Sequence, residues 1–116
     1  HGIFLGQVRA DRIGDASVEA IDYTAYEEMA EQAAHRLREA AFERFGLTCL
    51  HLYHSLGRVG AGEICLFVFT SSPHRQAALE AVQYLVEGIK RELPIFGQEC
   101  LSGGGAVWKK PNAPAS

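Results

Sequence analysis

The spacing of apolar and polar positions changes period several times along the chain, and each change marks an element. Residues Ile3 to Arg9 (IFLGQVR) read as a strand, with strand-favouring Phe4 and Val8 and a glycine, Gly6, that marks a bulge or a close backbone approach. Ala10 to Ala16 are polar and carry Gly14, so they read as a loop; Val18 to Tyr23 is a second strand. The period then becomes helical. Tyr26, Met29, Ala33, Leu37, Ala40 and Ala41 recur at threes and fours, with Arg36, Arg38 and Glu39 mostly off the stripe, which predicts a helix to about Phe45. Thr24 and Glu27 match a capping box before it, and Gly46 suits a left-handed residue after it.

Thr48 to His54 and Glu63 to Thr70 are the next strands, and the second (EICLFVFT) is apolar enough to lie centrally in a sheet. Between them, Leu56 to Gly62 reads as a short strand with turn residues. Its glycines run G-x-x-G-x-G, the wrong order for a dinucleotide fingerprint, and a hairpin turn explains them better. Ser72-Pro73 opens a second helix, with Ser72 as cap and Pro73 in the first helical position. Ala77, Ala78, Ala81, Val82, Leu85, Val86 and Ile89 form its buried face, and Pro94 ends it by excluding Leu93 from helical geometry. Gly97 and Gly103 to Gly105 read as a loose segment before Val107-Trp108, and Pro111 to Ser116 as a disordered tail. This order predicts an α+β sandwich: a mostly antiparallel sheet with two main helices on one side. One domain spans residues 1–110, with a flexible tail at 111–116.

At 116 residues the chain supports one modest core. A net charge of −3 argues against a general nucleic-acid binder while leaving room for a local basic pocket. No apolar run approaches the roughly 18–20 residues that span a bilayer, and no signal-peptide pattern opens the chain. His1 already lies inside the first strand pattern, which implies preceding sequence. Cys49, Cys65 and Cys100 are odd in number and fit no zinc spacing. Cys49 and Cys65 read as small buried hydrophobes, and reduced thiols fit a cytoplasmic protein.

Few residues invite chemistry. His74-Arg75 falls in the first turn of the second helix, where free amides and the dipole favour an anion and the guanidinium fork suits phosphate or carboxylate; the residues alone favour the plainer reading, a solvated first turn. Lys90, near the end of the same helix, alone reads as a charge complementing the dipole, and Arg9 alone as a surface charge. His51 and His54 are three apart on a strand and point to opposite faces, and His35 has no partner one turn on, so no metal is expected. No nucleophile elbow, paired-carboxylate signature or phosphate loop is present.

Six blocks in order carry a family resemblance. His1 to Arg9 resembles the "G-x-x-x-F-x-G-x-V-R" opening of molybdopterin synthase large subunits, and Ile21 to Ala30 resembles their "L-x-Y-E-A-Y-x-x-M-A". His54-Ser55-Leu56-Gly57 with Gly62-Glu63 sits where the family has "H-R-x-G" and "G-E", and Thr70 to Arg75 is similar to "S-A-H-R". Ile89-Lys90 through Leu93 to Glu99 resembles "L-K-x-x-x-P-I-W-K-K-E", and Trp108 matches a late tryptophan.

The resemblance implies an α/β hammerhead-type fold and a homodimer, each copy binding a small ubiquitin-like sulfur carrier ending in Gly-Gly. Sulfur from the carrier's thiocarboxylate would pass twice to cyclic pyranopterin monophosphate, building the molybdopterin dithiolene with no cofactor. By position Lys90 matches a catalytic lysine, and Phe4, Arg9, His74 and Arg75 match pocket residues. Three departures stand out: Gly97 replaces the family's second catalytic lysine, Ser55 replaces an arginine, and the segment before the first strand is absent. Lys109, with Lys110, is the available substitute cation; otherwise both are solvated tail lysines. Gly97 also supports an alternative, a non-catalytic homologue that binds the carrier as a scaffold. His74 and Lys90 are sixteen residues apart on one helix, roughly 24 Å at 1.5 Å per residue. If they line one pocket they belong to different chains, which predicts a site shared across a two-fold interface.

Overall fold

The computed structural model describes residues 1–108; Lys109, Lys110 and the predicted tail 111–116 lie outside the described residues. The elements run β1 (Gly2–Gln7), β2 (Arg12–Ile13), β3 (Ala16–Ala25), α1 (Glu27–Phe45), β4 (Cys49–His54), β5 (Gly57–Gly60), β6 (Ile64–Ser71), α2 (Arg75–Glu92), β7 (Ile95–Leu101) and β8 (Ala106–Trp108). They form two antiparallel sheets: β1-β6-β4, and β2-β3-β7-β8 with β5 joined to β3. The fold is α+β, as the apolar spacing predicts.

Both helices bear on one face of the three-stranded sheet. Alternation along β6 turns Leu66, Val68 and Thr70 inward, where they meet Ala81, Val82, Leu85, Val86 and Ile89 of α2 and Leu37 and Ala41 of α1. Close approach needs small residues at the contacts. A methyl group on Gly2 would stand 2.7 Å from the Ala78 carbonyl oxygen, and one on Gly88 would stand 2.5 Å from a Leu37 methyl. Thr70, fully buried, donates its hydroxyl to the Ala78 carbonyl at 2.7 Å, satisfying the one buried polar side chain among the described residues. A second cluster, Val8, Val18, Ile21, Tyr23 and Val59, fills the other sheet, and Cys65 touches both clusters.

Several local expectations are corrected. Thr24 does not cap α1: it is still in β3, paired with Phe96, and Tyr26 takes the cap position with no side-chain bond. Ladder pairing has claimed the residue that the capping box would use. The buried stripe of α1 is Ala30, Ala33, Leu37 and Ala41, while Tyr26 and Met29 are exposed. His74, not Ser72, precedes α2; Ser72 accepts a bond from the His74 amide two residues on, a turn placed two residues early for a helix cap, and Pro73 lies before the helix rather than in its first position. The glycines of β5 do not fold it back on β6, since β5 pairs with β3 in the other sheet. Arg12–Ile13 is a short strand rather than loop. The segment expected to be loose is a seven-residue strand, β7, paired along β3. Gly103 and Gly104, both at positive φ, shape the turn into β8, and the Leu101 amide donates to the Gly105 carbonyl at 2.7 Å across it. Gly46 ends α1 in the left-handed conformation as expected.

Gly88→Val places branched carbons where the buried Leu37 already sits, and should lower unfolding free energy in urea by about 1–3 kcal/mol.

Candidate active site

The predicted site residues occupy three places. His74 and Arg75 stand at the start of α2, both exposed. Lys90 stands in its last turn, also exposed, and among the described residues it enters no ion pair. The helix between them is unbroken, so they are roughly 24 Å apart and one chain does not bring them together. Phe4 lies on β1, half-buried against the cluster that includes Val82 and Val86. Arg9 follows β1, exposed and paired with Asp11 at 3.3 Å, a contact worth little at such exposure. β1 runs antiparallel to β6, and α2 turns back from the end of β6, so β1 and α2 head the same way. Arg9 and Lys90 therefore share one end of the layer, and His74 and Arg75 the other.

At the Lys90 end the chain turns sharply. Pro94 forces Leu93 into extended geometry (φ −81°, ψ 130°), and the Tyr26 amide donates to the Pro94 carbonyl at 3.2 Å, tying the start of α1 to the end of α2. A cleft of about 160 Å³ opens there, with Leu93, Ile95, Ala30 and Leu56 as apolar walls and Glu27, Glu31 and His54 as polar groups. Beside it Tyr26 meets Phe96 edge to face at 5.8 Å, and both line a second cleft with the exposed Trp108.

Gly97 pairs with Tyr23 across the β3–β7 ladder. A methyl group on it would stand 2.9 Å from Ile21 Cγ2 and 3.2 Å from Tyr23 Cε1, so the tyrosine ring covers the position from which a side chain would leave. Tyr23 is buried, edge-on to the His54 ring at 4.9 Å, and hydrogen-bonded to Cys65. Burial above all, then Cys65 and the Glu99 carboxylate, push its phenol well above the ordinary tyrosine range. Sequence reading registered Tyr23 only as a strand residue, since nothing in its spacing signals a buried hydroxyl. It also passed over Leu79, which is 52% exposed on α2 and off the buried stripe.

The chain is a two-layer α+β protein whose second helix is buried along its length and presents exposed cations at both ends. Comparison with known proteins is specific. The MoaE protein family matches residues 1–92. The molybdopterin synthase catalytic subunit of Pyrococcus abyssi is 35% identical over 102 residues, covering 88% of this chain and 68% of that protein. The crystal structure of molybdopterin synthase from Staphylococcus aureus superposes with a TM-score of 0.86 at 30% identity, covering 93% of this chain and 77% of that one. A Helicobacter pylori structure, described as a complex of subunits 1 and 2 of molybdopterin-converting factor, shares the fold with a TM-score of 0.76 at 22% identity, covering 96% and 71%. The chain belongs to the MoaE family.

The buried phenol makes stability fall with alkali. The folded pKa of Tyr23 is raised above its unfolded value near 10.0, so its contribution is complete below pH 10 and is lost as pH rises toward the folded pKa. Urea midpoints of wild type and Tyr23→Phe between pH 8 and 11 should show the wild type declining more steeply above pH 10; parallel curves would contradict this.

Proposed function

We propose that this chain is the catalytic subunit of a molybdopterin synthase, acting in the cytoplasm on cyclic pyranopterin monophosphate with a small ubiquitin-like sulfur carrier. The observation that carries the reading is Lys90: an exposed lysine, outside every ion pair among the described residues, at the end of α2 within the segment that matches the family. At each of two substrate carbons the carrier's thiocarboxylate sulfur forms a carbon–sulfur bond as a carbon–oxygen bond of the substrate breaks and its oxygen leaves with a proton, and hydrolysis of the resulting thioester leaves a carboxylate on the carrier. Two such transfers build the dithiolene. Lys90 meets the anionic tail and holds or moves a proton as the thioester breaks. His74 and Arg75 suit the substrate's phosphate, at the end of a helix where amides point outward. The helix holds them too far from Lys90 to act within one chain, so a second copy supplies them and the working unit is a homodimer with two shared sites. The two-subunit Helicobacter pylori complex supports a small partner for each copy.

A second reading, a scaffold that binds the carrier without turnover, draws on Gly97, whose neighbours Ile21 and Tyr23 occupy the space beside it. The shared description of the relatives as catalytic subunits favours the active enzyme. The two readings separate in a purified assay of cyclic pyranopterin monophosphate conversion with thiocarboxylated carrier. The wild type should turn over, and Lys90→Ala should lose about a hundredfold or more. Carrier binding by the wild type without product would replace the enzyme by the scaffold.

A further inference from the structure

The cleft between α1 and β7 adjoins the Lys90 end of α2 and has a charge without a counterpart. Leu93 and Ile95, three and five residues past Lys90, form part of its wall. The facing wall is α1, where Glu27, Ala30, Glu31 and Ala34 recur at threes and fours and share one side of the helix. Glu27 complements the positive start of α1. Glu31 lies a turn further on, where that field has faded, and as a like charge four residues away it repels Glu27. Neither carboxylate enters an ion pair among the described residues, and no lysine or arginine among them lines the cleft. Ala25 is common to this cleft and the second one. On the other side of it Tyr26, Phe96 and Trp108 are 65%, 47% and 62% exposed. Bare aromatic side chains beside a polar cleft are the kind that anchor protein interfaces.

On the reading that a sulfur carrier serves Lys90, we propose that this cleft seats one lysine or arginine side chain of that carrier. Its methylenes lie along Ala30, Leu56 and Ile95, and its charge meets Glu27 and Glu31. Tyr26, Phe96 and Trp108 cover the carrier's apolar surface beside it. The chemistry selects this occupant. An uncharged or acidic side chain would leave two carboxylates over an apolar wall with no counter-charge. A bare metal cation needs more ligands than two, and the described residues hold no group of three that could bind one. The contact also supplies what the carrier's tail lacks. A Gly-Gly terminus has no side chains and cannot distinguish one carrier from another. Recognition therefore falls to the carrier's body, and the acidic cleft reads it.

The test titrates the full chain with the full-length Gly-Gly carrier of the same genome by calorimetry. A chain carrying both Glu27→Gln and Glu31→Gln should bind with a Kd raised at least about tenfold and less dependent on salt. Trp108→Ala should weaken binding by a similar factor. All three side chains are exposed, so the fold is kept, and far-ultraviolet dichroism checks it. Each lysine and arginine of the carrier is then changed to alanine. One change should weaken binding to the wild type about tenfold and make no further difference against the double variant. Unchanged affinity in the double variant, or additive losses at every carrier cation, would overturn the cleft. So would variants that alter self-association and leave carrier binding intact, which would assign the surface to a second copy. If the coupling is found but the complex makes no product from cyclic pyranopterin monophosphate, the cleft stands and the catalytic reading fails. A wild type that binds no carrier overturns both.

Discussion

The molecule is organised around the seating of α2. The helix runs without a break from Arg75 to Glu92 and is held against the sheet and α1 by contacts that leave no slack: Gly2 under the Ala78 carbonyl, Thr70 bonded to the same oxygen, and Gly88 against Leu37 of α1. Interiors packed this closely do not let a helix slide, so the positions of both its ends are set by the core. One end presents His74 and Arg75, the other Lys90, and the helix is their fixed spacer. In the proposed reading a single chain therefore carries two half-sites at opposite ends of this helix. If both groups serve one site, helix geometry asks for a second copy before any detail of the chemistry is considered.

Much of this was legible in the residues. The buried face of α2 follows from apolar residues at threes and fours, and all but Ala77 of those predicted are buried. The apolar run of β6 marks the central strand of its sheet, and Gly46 marks the end of α1. What sequence misplaced was decided by pairing between distant segments. Thr24 is a good cap in isolation but is drawn into the ladder with Phe96. β7 contains Gly97, which reads as a breaker until the ring of Tyr23 is seen lying over it. β5 follows β4 closely yet crosses to pair with β3. None of these is visible in local spacing, because each is a choice between partners far apart in the chain.

The candidate site divides in the same way. The placement of Phe4, Arg9, His74, Arg75 and Lys90 came from blocks resembling a family, and the structure sorts them by end: Arg9 and Lys90 together, His74 and Arg75 opposite. Lys109 lies outside the described residues. Gly97 is a packed position rather than a gap, enclosed by Ile21 and Tyr23, with Tyr23 in turn bonded to Cys65. A lysine added there would require Ile21 and the Tyr23 ring to give by a few tenths of an ångström. Leu79 was readable as an apolar residue off the buried stripe, and it is exposed.

The central claim, that each site is built from two chains, is tested most directly by mixing two inactive variants. Lys90→Ala damages one half-site and Arg75→Ala the other. Chains mixed in equal amounts and allowed to exchange form mixed dimers in which both lesions fall in the same site and the second site is intact. Activity should then recover to roughly a quarter of wild type, as half the dimers are mixed and each mixed dimer keeps one of two sites. A mixture no more active than its separate components, with exchange demonstrated, would place both residues in one chain's site or in none and would contradict the account.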